Sequence, residues 1–170
     1  FSATMPPEIQ KFTQEFLKSP VKVEIERQSS TASTITQRFQ FLGVDEKAKR
    51  EEFRKAINEH EIENAIIFCN RKRDVEILYK SMSKHNYSVG ALHGDMDQRQ
   101  RMITLEKFRA GEITFLVASD VAARGLDIPN VGHVFNFDIP IHAEDYIHRI
   151  GRTGRAGRKG YAASFITPSD

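Results

Sequence analysis

The sequence predicts an α/β fold built on a mostly parallel sheet with helices on both faces. Three observations predict it. From residue 35 onward, segments of strand and helix periodicity alternate. The run Ala65-Ile66-Ile67-Phe68-Cys69 is apolar throughout, as strands buried on both faces are. Helix-length stretches separate successive strands, which implies right-handed crossovers rather than hairpins.

The elements follow in order. Residues 6–18 predict a short amphipathic helix: Pro6 and Pro7 suit its first turn, Ile9, Phe12 and Phe16 share a face, and Pro20 ends it. The segment Val21-Lys22-Val23-Glu24-Ile25 alternates as a strand does. Residues 28–34 are small and polar and form the best linker in the chain. Thr36 to Leu42 predicts a strand with Phe39 and Phe41 on one face. Residues 45–59 predict a helix whose mixed charges face solvent. Residues 71–84 predict another, with Val75, Leu78 and Met82 on its inner stripe, and Ser88 to Leu92 a strand. Asp97, with Gln100 three residues on, starts the next helix. Met102, Leu105 and Phe108 form its buried face, Lys107 and Arg109 complement its dipole, and Gly111 stops it. Ile113 to Ala118 predicts the strongest buried strand. Val131 to Phe137, a helix over 143–150 and Tyr161 to Ile166 complete the alternation.

Composition narrows the function. With 170 residues, 39% of them hydrophobic, the chain can bury one good core but not two. A net charge of +2 is too small for a polybasic binder, so any nucleic-acid surface must be local. The one cysteine, Cys69, cannot form an internal disulfide and reads as a small buried hydrophobe. With no zinc-ligand spacing among Cys and His, no metal ligands are expected. His60, His85, His133 and His142 are scattered. No apolar run approaches a membrane span and no signal peptide is visible, so a reducing, cytoplasmic setting is expected. The chain starts at Phe1 without an initiating methionine and is expected to be an excised fragment.

In open α/β sheets ligands sit beyond the carboxyl ends of the strands. Polar clusters follow three predicted strands: Asn70 and Arg71, then His93-Gly94-Asp95, then Ser119 to Asp127. Helix caps and turns prefer such residues anyway; their shared edge shifts the reading toward a site. The strongest signal comes later. Between Asp145 and Gly160 stand Arg149, Arg152, Arg155, Arg158 and Lys159, interleaved with glycines at 151, 154, 157 and 160. Arginine offers a planar, permanently charged fork suited to phosphate oxygens, and glycine lets a backbone approach a ligand closely. Arg152 and Arg155, three apart, could both face charge developing on a transferring γ-phosphoryl group, while Arg149 reads as structural or coupling. The plainer reading is a basic loop that only grips nucleic acid.

Several segments together carry a resemblance. The segment His148-Arg149-Ile150-Gly151-Arg152-Thr153-Gly154-Arg155 resembles the arginine-finger motif VI of DEAD-box RNA helicases. Residues 119–127, Ser-Asp-Val-Ala-Ala-Arg-Gly-Leu-Asp, resemble motif V, and Ile66 to Asn70 motif IV. Gln98-Arg99-Gln100-Arg101 resembles the glutamine-x-x-arginine element, and Ser2-Ala3-Thr4 motif III. The motifs occur in family order across essentially the whole chain, most like bacterial members.

The resemblance implies a RecA-like three-layer sandwich over residues 35–170, a linker at 28–34, and at 1–27 a remnant of the preceding RecA-like domain. It implies that Arg152 and Arg155 reach the γ-phosphate of ATP, and that Gly125 and Asp127 lie at the nucleotide, Asp127 on the ribose. Asn70, Arg71, Gly94, Arg101, Ser119 and Asp120 would line the RNA backbone, tolerant of sequence. His148 would couple to Ser2 and Thr4. Ser119 departs from the threonine more common in motif V but keeps the hydroxyl. No G-x-x-x-x-G-K-[ST] loop or Asp-Glu-Ala-Asp run is present. ATP and Mg2+ would therefore be held mainly by an N-terminal RecA-like domain, the parent's own, and the isolated fragment would be inactive. The fragment is expected to be a monomer, with exchange of residues 1–30 between copies as an option. Two rivals remain open at this point: a non-catalytic module using the Arg/Gly loop as a phosphate clamp, and a related DNA helicase.

Overall fold

Alternation along each strand decides which side chains enter which layer. In the computed structural model, which describes residues 7–18, 33–43 and 45–168, the order is α1 (Pro7–Phe16), β1 (Ile35–Phe41), α2 (Glu46–Asn58), β2 (Ala65–Cys69), α3 (Lys72–Lys84), β3 (Val89–Leu92), α4 (Gln98–Arg109), β4 (Phe115–Ser119), α5 (Asp120–Ala123), β5 (His133–Asn136), α6 (Ala143–Ile150) and β6 (Gly160–Ile166). The strands form one sheet in the order β1-β6-β5-β2-β4-β3, parallel at every pairing. The RecA-like class read from the motifs is therefore correct, and the sheet is wholly parallel.

On β2, Ala65, Ile67 and Cys69 pack into one layer with Phe53 and Ile57 of α2 and Val75, Leu78 and Met82 of α3. Ile66 and Phe68 point the other way, to Leu105 and Phe108 of α4, Ala122 and Ala123 of α5 and Ile150 of α6. This period-two division puts α2 and α3 on one face and α4, α5 and α6 on the other. Phe53 anchors the first layer: it is wholly buried, with its ring edge-on to Phe135, Phe137 and Phe165 at 5.8, 5.4 and 5.0 Å.

Five details differ from or extend the sequence reading. Met102 is 37% exposed, because α4 faces the sheet through Leu105 and Phe108, with Arg101 and Thr104 half-buried beside them. Phe39 and Phe41 share a face but remain exposed, since β1 is an edge strand and only Phe39 finds a ring, Tyr146, at 6.1 Å. The strand expected from Ile113 starts at Phe115, after the Ser88 carbonyl accepts the N–H groups of both Thr114 and Phe115. The one-turn helix α5 is too short to show periodicity. Phe12 and Phe16 of α1 stack on each other at 6.1 Å and stay exposed. The strand at 21–25, linker residues 28–32, and Ser2 and Thr4 lie outside the described residues.

The connections define one further feature. β2 and β5 are neighbours, yet β2 leads through α3 toward β3 on one side and β5 through α6 toward β6 on the other. The crevice outside their carboxyl ends is therefore the topological switch point of the sheet.

Two predictions follow from the packing. Replacing Phe53 with alanine should cost about 3–5 kcal/mol of unfolding free energy, whereas Phe16→Ala, at a 76% exposed ring, should stay within about 0.5 kcal/mol; denaturant titrations of both variants decide. The second concerns His133, where burial first and the His60 imidazole second hold the ring below its usual value. Its Nδ1 is buried without a partner. The unfolded chain takes up this proton more readily, so the group's contribution is full above about pH 6.5 and is lost as pH falls below it. Between about pH 7.5 and about pH 5.5 the natural chain should therefore lose more stability than His133→Phe. Equal losses would contradict the assignment.

Candidate functional site

The parallel sheet brings Asn70, Gly94, Ser119 and Asp120 to one edge, Ser119 as the last residue of β4 and the others just past strand ends. Joining them is a residue from the opposite direction. α6 carries Arg149 on its inner face, and that side chain is 1% exposed. Its guanidinium lies over the Phe68 ring at 5.2 Å. Nε and Nη2 donate to the two oxygens of Asp120, at 2.8 and 2.6 Å. Nη2 also donates to Asn70 Oδ1 at 2.7 Å. Nη1 donates to the Asp138 carbonyl at 2.7 Å and to Asn136 Oδ1 at 3.4 Å. An arginine has five N–H donors, and all are used.

Asn70 is fully committed as well. Its Nδ2 donates to the Ile139 carbonyl at 2.8 Å and its backbone N–H to Asp138 Oδ2 at 3.0 Å. Asp138 receives Lys49 at 3.4 Å, and burial still pushes its carboxyl above the ordinary value. Asn136 Nδ2 donates to Ser164 Oγ at 2.9 Å. Asn136, Asp138 and Lys49 were missed in the sequence. Asp138 had a signal, since it follows the 131–137 strand as the other polar clusters follow theirs.

The remaining edge residues are less committed. Arg71 is exposed at the N-cap of α3 without a capping side-chain bond. Lys72 reaches Asp95 at 2.9 Å, tying that turn to the one holding Gly94. Arg101 Nη2 donates to the Ala122 carbonyl at 3.1 Å, while its Nε is buried without a partner. Ser119 is buried, in register with Cys69.

The arginine loop lies elsewhere. Thr153 bridges to Val131, ahead of β5, and its hydroxyl donates to the Val131 carbonyl at 2.5 Å. Thr34 Oγ1, just before β1, donates to the Gly154 carbonyl at 2.9 Å, and Gly160 opens β6. Arg152 and Arg155 thus sit at the amino ends of β1, β5 and β6, not at the carboxyl edge. The glycines serve this seam. Gly154 has φ +69°, and a Cβ there would stand 2.5 Å from Ile35 Cγ1; one at Gly160 would stand 2.4 Å from Thr153 Oγ1. At these two positions the missing side chain admits protein, not ligand.

On this fixed loop Arg152 is half-buried, and its guanidinium makes no hydrogen bond or ion pair among the described residues. Burial, then the charge of Arg155, push it below the usual guanidinium value. Arg155 donates Nε to the Gly151 carbonyl at 2.6 Å and its backbone N–H to Asn130 Oδ1 at 3.3 Å. Two cations lie close together, neither in an ion pair among the described residues, an arrangement that favours an anion. Asp127 has a 98% exposed side chain, and Arg109 donates to both its carbonyl and, at 3.2 Å, its carboxylate. Gly125 takes φ +72° in the turn before it. His148 is exposed in the last turn of α6. Among the described residues no three His, Cys, Asp or Glu side chains gather as a metal site, and no helix is long and apolar enough to cross a membrane.

Residues 48–157 match the helicase conserved C-terminal domain. The chain is 43% identical over 99% of its length to the DEAD-box ATP-dependent RNA helicase RhpA of Helicobacter pylori strain B128, covering 34% of that protein. It is 44% identical over its whole length to CshA of Bacillus subtilis, again covering 34%. The chain thus spans about a third of the length of these relatives. It is similar to the C-terminal domain of the DEAD-box protein Dbp5, with 36% identity, a TM-score of 0.72 and coverage of 81% of this chain and 79% of that one. Against S. cerevisiae Dbp5 bound to RNA and ADP BeF3 the TM-score is 0.82 at 32% identity, covering 98% of this chain and 44% of that one.

Arg149→Ala should destabilise the fold by about 3–5 kcal/mol, because it strands Asp120 and three further acceptors around a buried gap. Arg149→Lys should recover little, since one ammonium cannot replace a five-donor fork. Arg155→Ala, at an exposed side chain, should stay within about 0.5 kcal/mol. Chemical denaturation of the three variants checks the ranking.

Proposed function

The chain belongs to the DEAD-box RNA helicases as their helicase C-terminal domain, and on that premise we propose that it is the arginine-supplying half of an ATP-driven motor acting on RNA. One observation carries the reading: Arg152, half-buried on a loop pinned from both sides beside Arg155, makes no ion pair among the described residues. A cation held this way needs little reorganisation when it meets an anion.

In this proposal a preceding RecA-like domain holds ATP and Mg2+, and closure brings Arg152 and Arg155 onto the γ-phosphate. ATP supplies the phosphoryl group whose transfer drives the cycle. Gly125 and Asp127 meet the nucleotide, with the Asp127 carboxylate accepting from ribose hydroxyls; the Arg109 contacts hold that loop in place. Arg71, Gly94, Arg101 and Ser119 follow the RNA backbone. Asn70 and Asp120 belong to the same surface, their side chains oriented by Arg149. Contacts of this kind read phosphate and sugar, so single strands or duplexes of any sequence are accepted. His148, with Ser2 and Thr4, couples nucleotide state to RNA.

The helix α6 supports the coupling. Arg149 sits three residues before Arg152, so one rigid segment reaches the RNA side with the first and the nucleotide side with the second. In the protein carrying both domains, Arg152→Ala and Arg155→Ala should each lower RNA-stimulated ATP hydrolysis by about 10³-fold, with RNA affinity within about twofold as measured by fluorescence anisotropy. Loss of RNA binding in step with hydrolysis, greatest at low salt, would instead favour a plain phosphate clamp.

A further inference from the structure

We infer that the crevice at the switch point between β2 and β5 is a second site, sized for one nucleotide and built to take a phosphate-bearing ribonucleotide unit. Its volume is about 660 Å³, within the range of small-molecule sites, about 300–1,000 Å³. Neither Arg152 nor Asp127 lines it. It lies where open parallel sheets bind ligands, outside two strand ends whose connections part.

Its chemistry divides into three parts. Arg50 of α2 and Arg71 at the start of α3 both line it, and neither side chain makes a hydrogen bond or ion pair among the described residues. Two free guanidinium forks in one crevice suit phosphate oxygens. The floor is already neutralised: Lys49, 4% exposed, is paired with Asp138. On the wall, half-buried Asp74 lies 3.7 Å from Arg73 Nε through Oδ1 and keeps Oδ2 able to accept from ribose hydroxyls. The lip is aliphatic. Ile141 is 82% exposed and Ile77 40% exposed, a cost without function unless a flat apolar face covers them. A nucleobase is such a face. An acidic peptide fits less well, because it offers the Asp74 carboxylate no hydroxyl.

The inference rests on the reading that Asn70 and Arg71 face RNA, since the crevice continues from them. Its occupant is either a nucleotide of that strand or a free mononucleotide. The two sources separate in one experiment: amide chemical shifts of the isotope-labelled chain, titrated with AMP and with oligoadenylates of about four and about ten nucleotides. The expected result is that the longer oligomer moves Arg50, Ile77 and Ile141 as well as Gly94, Arg101 and Ser119, with AMP moving only the first group. Arg50→Ala should weaken the longer oligomer about 3–10-fold and lower the salt slope by about 0.7, one single-strand phosphate contact. Arg50→Lys should restore the slope. Ile141→Ser, on an exposed side chain that no fold contact needs, should abolish the AMP shifts.

Shifts with AMP but not with RNA in the crevice would keep the site and assign it to a free nucleotide. Movement of Gly94, Arg101 and Ser119 with the crevice silent to both probes would overturn the inference and leave the RNA reading standing. Silence at Gly94, Arg101 and Ser119 would overturn the RNA reading, and the AMP arm alone would then decide the crevice. Stronger shifts there with an oligoglutamate peptide than with AMP would overturn the nucleotide assignment.

Discussion

Burying a guanidinium costs several kcal/mol unless every donor is satisfied, and the structure meets that condition once, at Arg149. Its five hydrogen bonds reach the ends of β2 and β5 and the start of α5 from a helix on one face of the sheet. No partner can move alone. If Asn70 shifts, Arg149 loses an acceptor, and Asp138 loses the Asn70 N–H. The carboxyl edge is therefore a single polar lattice with aromatic packing beneath it, Phe68 on one side and Phe137 under Lys49 on the other.

That lattice gives α6 a mechanical role. The helix has eight residues, about 12 Å at 1.5 Å per residue. It starts beyond the carboxyl end of β5 and delivers the chain to the amino ends of β5, β6 and β1, where Thr153 and Gly154 are sewn to Val131 and Thr34. The two edges of the sheet thus meet through one stiff element. A ligand that displaces Arg152 acts on the same helix that holds Asp120. Coupling of the kind proposed would need no long chain of contacts, only a helix whose two ends are both held.

Charge placement follows the same economy. Cations with structural work are paired: Arg149 with Asp120, Lys49 with Asp138, Arg124 with Asp145. Arg152, Arg50 and Arg71 are left without a protein partner among the described residues. With a net charge of only +2, such local surpluses matter more than the total, because attraction to phosphate is set within a Debye length of about 8–10 Å.

The fold class, the layers and a cation-rich loop with Arg152 and Arg155 as candidate phosphate-seeking residues can be read from the amino-acid order alone. Periodicity carries that information: Val75, Leu78 and Met82 could face only inward, and the 65–69 and 143–150 elements fall where their patterns place them. Arg152 and Arg155 stood out as candidates because residue type and spacing suggest their chemistry. Which side chains partner across the sheet depends on the packing of distant segments. Arg149 read as structural or coupling rather than as a finger, but only the packed fold shows it to be the cation withdrawn from solvent. Asn136, Asp138 and Lys49 were silent because their roles depend on strand order, which brings β5 beside β2 across a long stretch of chain. The glycines at 154 and 160 read as ligand approaches and proved to be packing gaps, since nothing local records that Ile35 and Thr153 lie against them. The carboxyl edge was anticipated from the clusters that follow strands, but where the arginine loop lies relative to it was not. A helix that returns the chain to the opposite edge separates them, and the length of that return is a property of the packed sheet.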